Sequence, residues 1–367
     1  MGPRQAWSIW KVRTSTVAPE PSYTYVHGVH VQPMTFRRAW TAAALVAAMG
    51  PAMAPAVGAV LSRDLKFSTV ELIDLERGRI VKHTLDKTSP GEVAVAGAVR
   101  VNATRETFLS RFRDITQFKR GPGVLEIGRF GDPPTLGDLE ALTIDKNDFD
   151  GRAFRVGDCG VRLPAATIRR FQREIDWKAP DADRRAVALF KQVLFEHVRA
   201  YLSASSDRFI QYDDDKRPVR PVEEFAGILK NSAFLGELVP GLPAHLASRP
   251  SHLPGVEDFL YWSKETGGFA PFITVTQVTI ARAAHGSDVI TSKDVYSSRY
   301  VDSSLAVTIA SDVIGTPDAF YLVYVNRSRA SAMKGPFSGL RHAMVERRAK
   351  SSLEDNLKLL KGRLERR

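Results

Sequence analysis

Cysteine is almost absent from this chain of 367 residues, which contains Cys159 alone. A single cysteine excludes an intramolecular disulfide, so a packed core must hold the fold, and a chain of this length can supply one. Cys159 lies in the turn-like segment Val156–Gly160, with no histidine near it in sequence. A nucleophilic cysteine needs a paired base. The sequence therefore favours a small buried residue at this position over a catalytic one.

The signatures of common enzyme classes are also missing. The sequence contains no P-loop, no dinucleotide-binding glycine pattern, no His-Glu-x-x-His pair and no Gly-x-Ser-x-Gly elbow. The acidic triplet Asp213–Asp215 lacks the alternating ligands and the glycine turn of a calcium loop, so a solvated turn is the preferred interpretation. We predict no cofactor and no metal site, and we assign no catalytic residue. Whether the chain is an enzyme stays open at this point.

A secretory signal is the most specific feature that is present. The positive segment Met34–Arg38 precedes the apolar run Thr41–Met49, which is shorter than the roughly 20 residues of a transmembrane helix. Three small-residue motifs that suit cleavage follow: Ala52–Ala54, Ala54–Ala56 and Val57–Ala59. We predict a signal peptide at 34–59 and a soluble exported protein, periplasmic or extracellular. An uncleaved anchor and a disordered leader remain as alternatives.

Residues 1–33 show no periodicity and no helix caps. Because a signal peptide stands at the start of a chain, we interpret this stretch as an over-extended gene start or a disordered extension. Residues 60–367 are then expected to form a single α+β domain.

The net charge of +11 suits nucleic acid, an anionic membrane surface or acidic ligands, but the charges are spread along the chain. The densest cluster is the last predicted helix, Phe337 to Leu364, whose apolar stripe packs inward. From Arg341 to Arg367 it carries nine Lys or Arg against four Asp or Glu. We predict that this helix could meet anionic lipid head groups. Nucleic acid conflicts with export and is not expected as a partner.

Three long extended runs precede that helix. They are Phe259 to Ile280 with a hairpin at Gly267–Gly268, then Val289 to Ile309, then Ala319 to Val325. The short connections between them predict an antiparallel sheet. Upstream, Glu92–Val101 is predicted as a strand, Ala103–Lys119 as a helix and Val124–Ile127 as a short strand. Residues 131–255 are predicted to form a helix-rich insertion, either a lid or a second subdomain.

Polar and aromatic side chains within these runs are the candidates for a ligand site. Two arginines after the third run are suited to a carboxylate or phosphate, and an intramolecular salt bridge into the last helix is equally expected for them. Cross-strand pairing on a solvated face is the alternative for the other polar strand residues, which include Glu265 and Asp294. The candidate ligand-binding residues are Tyr261, Trp262, Lys264, Lys293, Tyr296, Tyr324, Arg327 and Arg329.

The order of these elements resembles the START-like (helix-grip, SRPBCC-type) superfamily over roughly Glu92–Val124 and Asp258–Leu364. No residue motif carries the resemblance. It implies a curved antiparallel sheet that wraps a long C-terminal helix, with a cavity between them for lipids, sterols or other apolar molecules. The 131–255 insertion is a departure from that pattern.

Two functional classes follow. The first is an exported protein that binds or carries an apolar or amphipathic small molecule such as a lipid. The second is a cyclase-type or hydrolase-type enzyme that uses the same pocket, with Tyr, Asp or Lys of the second run as acid or base. A closed apolar cavity without converging titratable groups would favour the first.

Overall fold

The computed structural model describes residues 53–203, 211–247, 253–266, 270–333 and 338–366. The predictions for residues 1–33 and for the signal peptide as far as residue 52 lie outside these ranges. Residues from Met49 onward form one compact unit.

The described chain is an α+β fold built on one curved antiparallel sheet. The strands are β1 Val81–Thr84, β2 Glu92–Val101, β3 Val124–Arg129, β4 Glu257–Glu265, β5 Phe272–Arg282, β6 Asp288–Ser297, β7 Ser303–Val313 and β8 Thr316–Arg329. Their order across the sheet is β1-β2-β8-β7-β6-β5-β4-β3. The strand β2 pairs with the last strand, β8, along its whole length, from Glu92 opposite Arg329 to Val101 opposite Phe320.

Ten α-helices accompany the sheet in the described ranges. They are α1 Pro55–Ala59, α2 Thr69–Glu76, α3 Arg105–Arg113, α4 Ile115–Phe118, α5 Ala165–Glu174, α6 Ala182–Leu202, α7 Pro221–Lys230, α8 Phe234–Leu238, α9 Leu242–Ala247 and α10 Ser338–Glu365. The strand and the closing helix predicted at Glu92–Val101 and Phe337–Leu364 are confirmed.

Side chains point alternately to the two faces of the sheet, and this divides the core into two parts. On β4, Phe259 and Tyr261 join the cluster formed with α3 and α10, whereas Leu260 and Trp262 join the cluster formed with α5 and α6. Successive strand residues point to opposite faces, so each face carries its own helices. We call these faces the α10 face and the insertion face.

The last helix lies against one side of the α10 face. α10 packs mainly on β2 and β1, where a Cβ added to Gly97 would stand 3.0 Å from the side chains of Leu353 and Leu357. α3 closes one end of this face, held by a charged bond of 2.7 Å from Arg105 Nη1 to Asp288 Oδ2. The central strands between these helices are therefore left without a helix at the other end.

The insertion is helix-rich, as predicted, but it is not a lid over the α10 face. Its helices α5 to α9 cover the opposite face, together with α1 and α2. Arg162 is paired with Asp302 where both are buried, and Lys264 Nζ lies 2.8 Å from Asp148 Oδ2. These buried ion pairs fix the insertion to the sheet, so it is an integral part of the core.

Two predicted elements are corrected by the structure. The run Val289–Ile309 is two strands, β6 and β7, separated by a turn in which Tyr300 has φ +66°. The helix predicted at Ala103–Lys119 is two helices that meet at Asp114, and its N-cap is Thr104, whose hydroxyl accepts from the amide of Thr107. Within the insertion, the helix α9 forms in the segment from Pro240 to Pro254, for which the prolines predict a loop.

Candidate functional site

A group of half-exposed side chains occupies the centre of the α10 face. They belong to β6, β7 and β8, which are interior strands of the sheet, and they are Ser292, Asp294, Ala306, Thr308, Tyr324 and Asn326. Further along the same strands and on the same face, Ile290, Ala310 and Leu322 are fully buried under α3 and its neighbours. Their partial exposure shows that the helices on this face leave space above these residues. We call this space the hollow.

Asp294 is the chemically distinctive residue of the hollow. Thr276 donates a hydrogen bond of 3.1 Å to its Oδ1, and Ser304 donates one of 2.5 Å to its Oδ2. Burial raises the pKa of Asp294 from 3.8 to about 6, although these two hydrogen bonds and the charge of Lys119 act in the opposite sense. The carboxyl group therefore titrates close to neutral pH, as groups that transfer protons or bind ligands often do.

A β-bulge in β6 positions Asp294 opposite Thr276. The pairing of β5 with β6 shifts by one residue between Val275 and Thr276, so that Thr276 lies opposite Asp294. The two following residues of β6, Val295 and Tyr296, both join the core of the insertion face. Bulges of this kind redirect side chains and are common beside functional sites.

A buried ion pair borders the hollow on the β4 side. Lys119 Nζ lies 2.5 Å from Glu265 Oε1 and 5.1 Å from the centre of the Tyr261 ring. Burial acts to lower the pKa of Lys119, but Tyr261 and Glu265 outweigh it and the net pKa is raised. Burial likewise acts to raise the pKa of Glu265, and Lys119 outweighs it, so that this pKa is lowered. Both groups are therefore charged and compensate each other.

Two tyrosines supply neutral hydroxyl groups. Burial raises the pKa of Tyr261, and burial raises the pKa of Tyr324 to about 12. Both phenols keep their protons at neutral pH and can donate hydrogen bonds. Together with Asn326 and Asp294, they give the hollow donors and acceptors within a largely apolar core.

Only Tyr261 and Tyr324 of the eight predicted ligand-binding residues face the hollow. The other six, Trp262, Lys264, Lys293, Tyr296, Arg327 and Arg329, lie on the insertion face, so the eight residues do not line one pocket.

The insertion-face residues are engaged in contacts that hold helices and loops. Trp262 Nε1 donates to the carbonyl of Asp138 at 2.7 Å, and Tyr296 donates its hydroxyl to the carbonyl of Arg162 at 3.2 Å. Lys293 Nζ donates to the carbonyl of Leu246 at 2.8 Å and lies 4.3 Å from the centre of the Phe225 ring. These bonds connect the sheet with the helices of the insertion.

The two arginines after the third predicted run share one internal carboxylate. Arg327 Nη1 lies 2.7 Å from Glu92 Oε1, and Arg329 Nη2 lies 3.5 Å from Glu92 Oε2. Arg329 also reaches Glu224 of α7 at 3.3 Å. An intramolecular salt bridge is therefore present, but its partners are Glu92 of β2 and Glu224 of α7, and not the last helix as expected.

Sequence reasoning missed Lys119, Thr276, Ser304 and Asn326 as neighbours of the hollow. Alternation along β7 and β8 could have indicated Ser304 and Asn326, since both share a face with Tyr324. Lys119 directly follows the end of α4, and no local sequence pattern predicts that its side chain lies beside the hollow.

A second concave site lies on the insertion face. It is a half-open pocket of ≈ 210 Å³ between α5, α6 and β6, lined mostly by apolar side chains that include Phe190, Leu194 and Tyr296. His197 lines it as well, and burial lowers the pKa of this histidine to about 4. Its imidazole is therefore neutral at physiological pH.

In the described part of the chain, no cluster of three or more His, Cys, Asp or Glu residues is arranged to hold a metal ion. Cys159 is buried, and burial raises the pKa of its thiol to about 12. The thiol is therefore protonated and unsuited to nucleophilic attack.

We predict that Asp294→Asn stabilises the protein at pH 7.5 by about 2 kcal/mol and has little effect at pH 4. The folded protein binds the Asp294 proton more tightly than the unfolded chain does. Stability therefore falls as pH rises from about 4 to about 6, because the folded state must then hold a charge that burial disfavours. Asparagine carries no charge and avoids that loss.

Urea unfolding at the two pH values measures the difference, and Asp318→Asn at an exposed position of β8 is the control. A loss of stability at pH 7.5, or an equal change at both pH values, would contradict the assignment.

Comparisons of the chain with family models, with curated proteins and with solved structures found no match.

Proposed function

We propose that the protein binds or carries an amphipathic small molecule, such as a lipid, in the hollow on the α10 face of the curved sheet. The observation that carries this proposal is the partial exposure of polar side chains at the centre of this face. The antiparallel sheet with a long C-terminal helix against it also supports the resemblance to the START-like superfamily. In that superfamily the corresponding cavity takes lipids and other apolar molecules.

The polar floor of the hollow favours an amphipathic ligand over a purely apolar one. A hydrocarbon that covered Asp294 and Asn326 would remove their remaining contact with water and give no hydrogen bond in return, which costs free energy. A ligand with a polar head group can satisfy these side chains while its apolar part contacts the rings of Tyr261 and Tyr324. We therefore expect a head group that can donate hydrogen bonds.

Extraction of purified protein with organic solvent, followed by mass spectrometry, tests the proposal. We expect an amphipathic molecule to co-purify with the wild type and to be absent from Ala306→Trp, in which the indole fills the hollow. Ile314→Trp adds the same bulk at an exposed turn and serves as the control. Equal amounts of the same molecules in all three extracts would contradict binding in the hollow.

A second candidate function is an enzyme of cyclase or hydrolase type that uses the same hollow. Asp294 favours it, because the hollow is not the closed apolar cavity without titratable groups that would favour the carrier. A carboxyl group with a pKa near neutrality can accept or return a proton, and two protonated tyrosines lie on the same face. Incubation of wild-type protein and Asp294→Asn with metabolite extracts separates the two functions. A molecule that only the wild type consumes would show catalysis, and identical extracts would favour the carrier.

Export remains a proposal that rests on the leader sequence. No helix of the described residues is both long enough and apolar enough to cross a membrane. Met53 is 3% exposed and would be lost at any of the three predicted cleavage sites, whereas Val57 is 0% exposed and would be lost only at the third. If the chain is exported, cleavage must therefore leave Val57 in place.

We predict that the mature N-terminus follows Ala54 or Ala56 and does not follow Ala59. Cleavage after Ala59 would remove α1 together with Val57 and leave a cavity in the insertion-face core, which costs about 1–3 kcal/mol for a side chain of this size. N-terminal sequencing of the exported product measures the cleavage position. A product that begins at Val60 would contradict the prediction.

We further propose that α10 approaches anionic membranes. Met344 and Val345 are exposed, with 62% and 38% exposure, and Arg347 beside them is exposed as well. Apolar and basic side chains together favour a surface of anionic lipids. The wild-type protein should co-sediment with phosphatidylglycerol vesicles, and Arg347→Glu should co-sediment less. Equal binding of the wild type to phosphatidylcholine vesicles would contradict the proposal.

A further inference from the structure

The charges around the hollow do not sum to zero. Lys119 is matched by Glu265 at 2.5 Å, and each of the two keeps its charge. Asp294 then contributes one further negative charge when it is ionised. In the described part of the chain, no lysine or arginine lies within ion-pair distance of its carboxylate; its partners are the hydroxyl groups of Thr276 and Ser304.

The nearest groups of other elements do not cancel this charge. Tyr261 and Tyr324 stay protonated, so they contribute hydroxyl groups without charge. Among the described side chains named here, Asp294 is therefore the charged group that has no ionic partner.

We infer that the head group of the ligand is a cationic amine, and that Asp294 is its counter-charge. This inference rests on the proposed function and specifies the class of molecule. An ammonium group can donate three hydrogen bonds, and each oxygen of Asp294 retains acceptor capacity beyond the single bond it receives. Charge-assisted bonds of this kind are the stronger ones in proteins.

The same arrangement excludes anionic head groups. A fatty-acid carboxylate or a phosphate placed beside Asp294 would bring two negative charges together in a partly buried space, where their repulsion is poorly screened. The hollow therefore selects against free fatty acids, even though these are common amphipathic molecules. A neutral alcohol is intermediate, because it can donate one hydrogen bond and brings no charge.

The carboxylate of Asp294 is positioned to receive an ammonium group. Asp294 is held by two hydroxyl groups from different strands, β5 and β7, so its carboxylate is oriented before a ligand arrives. The half-exposed Tyr324 and Asn326 lie on β8, the next strand of the same face. A bound ammonium group can thus contact a fixed carboxylate, with aromatic and amide groups beside it.

Three ligands of equal chain length test the inference: octylamine, octanol and octanoate. At pH 7.5 the first is a cation and the last an anion. Isothermal titration calorimetry on the wild type should show that octylamine binds at least about tenfold more tightly than octanol. This difference in affinity corresponds to one charge-assisted hydrogen bond. Octanoate should bind at least about tenfold more weakly than octanol.

Asp294→Asn should weaken the binding of octylamine by about tenfold or more and change the affinity for octanol by less than about threefold. Retained octanol binding also shows that the variant is folded. Similar affinities for all three ligands would overturn the amine assignment and leave the proposed function standing. Tight octylamine binding that Asp294→Asn does not change would overturn the role of Asp294. If none of the three binds, the proposed function fails together with the inference.

Discussion

Replacing Glu92 by glutamine is expected to destabilise the protein by about 3–5 kcal/mol. Glu92 is fully buried, and its two carboxylate oxygens face Arg327 at 2.7 Å and Arg329 at 3.5 Å. Both guanidinium groups are largely buried themselves. Glutamine has nearly the same shape but no charge, so it would leave Arg327 without its counter-charge and Arg329 with Glu224 alone.

Urea unfolding at pH 7 measures this loss, with Glu237→Gln as the matched control. Glu237 also pairs with an arginine, Arg63, but both side chains are more than half exposed. Exposed ion pairs contribute about 0–1 kcal/mol, so the control should be close to the wild type. A loss below 1 kcal/mol for Glu92→Gln would mean that the arginines are hydrated and free to meet an anionic ligand.

Replacing Trp262 by alanine is expected to cost about 3–5 kcal/mol as well. The indole is 1% exposed, lies over Gly128 of the neighbouring strand and donates a hydrogen bond of 2.7 Å to the carbonyl of Asp138. Its removal leaves a cavity between the sheet and the insertion and an unpaired carbonyl. The sheet and the insertion share this core, so both should unfold in one transition at lower urea.

Leu125→Ala is the control for this variant, since Leu125 lies on β3 beside β4 and is 50% exposed. It should lose well under about 1 kcal/mol. Two separate unfolding transitions for the wild type, or an unchanged midpoint for Trp262→Ala, would show that the insertion is an independent unit.

The elements that could be predicted from the sequence are those whose pattern is local. β2 alternates small and branched residues between clear boundaries, and α10 carries a long apolar stripe. α9 was missed because Pro243 argued against a helix, yet proline is tolerated in the first turn, where Pro243 lies. The turn between β6 and β7 was missed because it contains neither glycine nor proline; Tyr300 adopts the left-handed conformation there.

The site was only partly predictable, for a related reason. Tyr261 and Tyr324 stand out as aromatic residues in strands, but assigning a face to every residue requires a constant period of two. The bulge at Asp294–Tyr296 breaks that period, and the unrecognised turn breaks it again before Ser304. Lys264, Lys293, Arg327 and Arg329 were chosen because charge in a strand suggests a ligand, whereas here each is bonded to the insertion or to Glu92.

The structure also places the insertion differently from the expectation of a lid. Buried pairs such as Lys264 with Asp148 bind it to the face opposite α10. Access to the hollow is therefore governed by α10 and the loops near it, and the insertion instead makes the sheet a two-sided core. This explains why the segment Ala319–Val325 of β8 is apolar or aromatic on both faces.

Binding of a small fluorescent probe in the hollow tests the central claim most directly. N-phenyl-1-naphthylamine, an uncharged amphipathic molecule at pH 7.5, should bind to the wild type in a saturable manner with a rise in fluorescence. Binding should be lost in Ala306→Trp and retained in Ile314→Trp, while all three proteins unfold at similar urea concentrations. Binding that Ala306→Trp leaves intact, or no saturable binding to the wild type, would contradict the account.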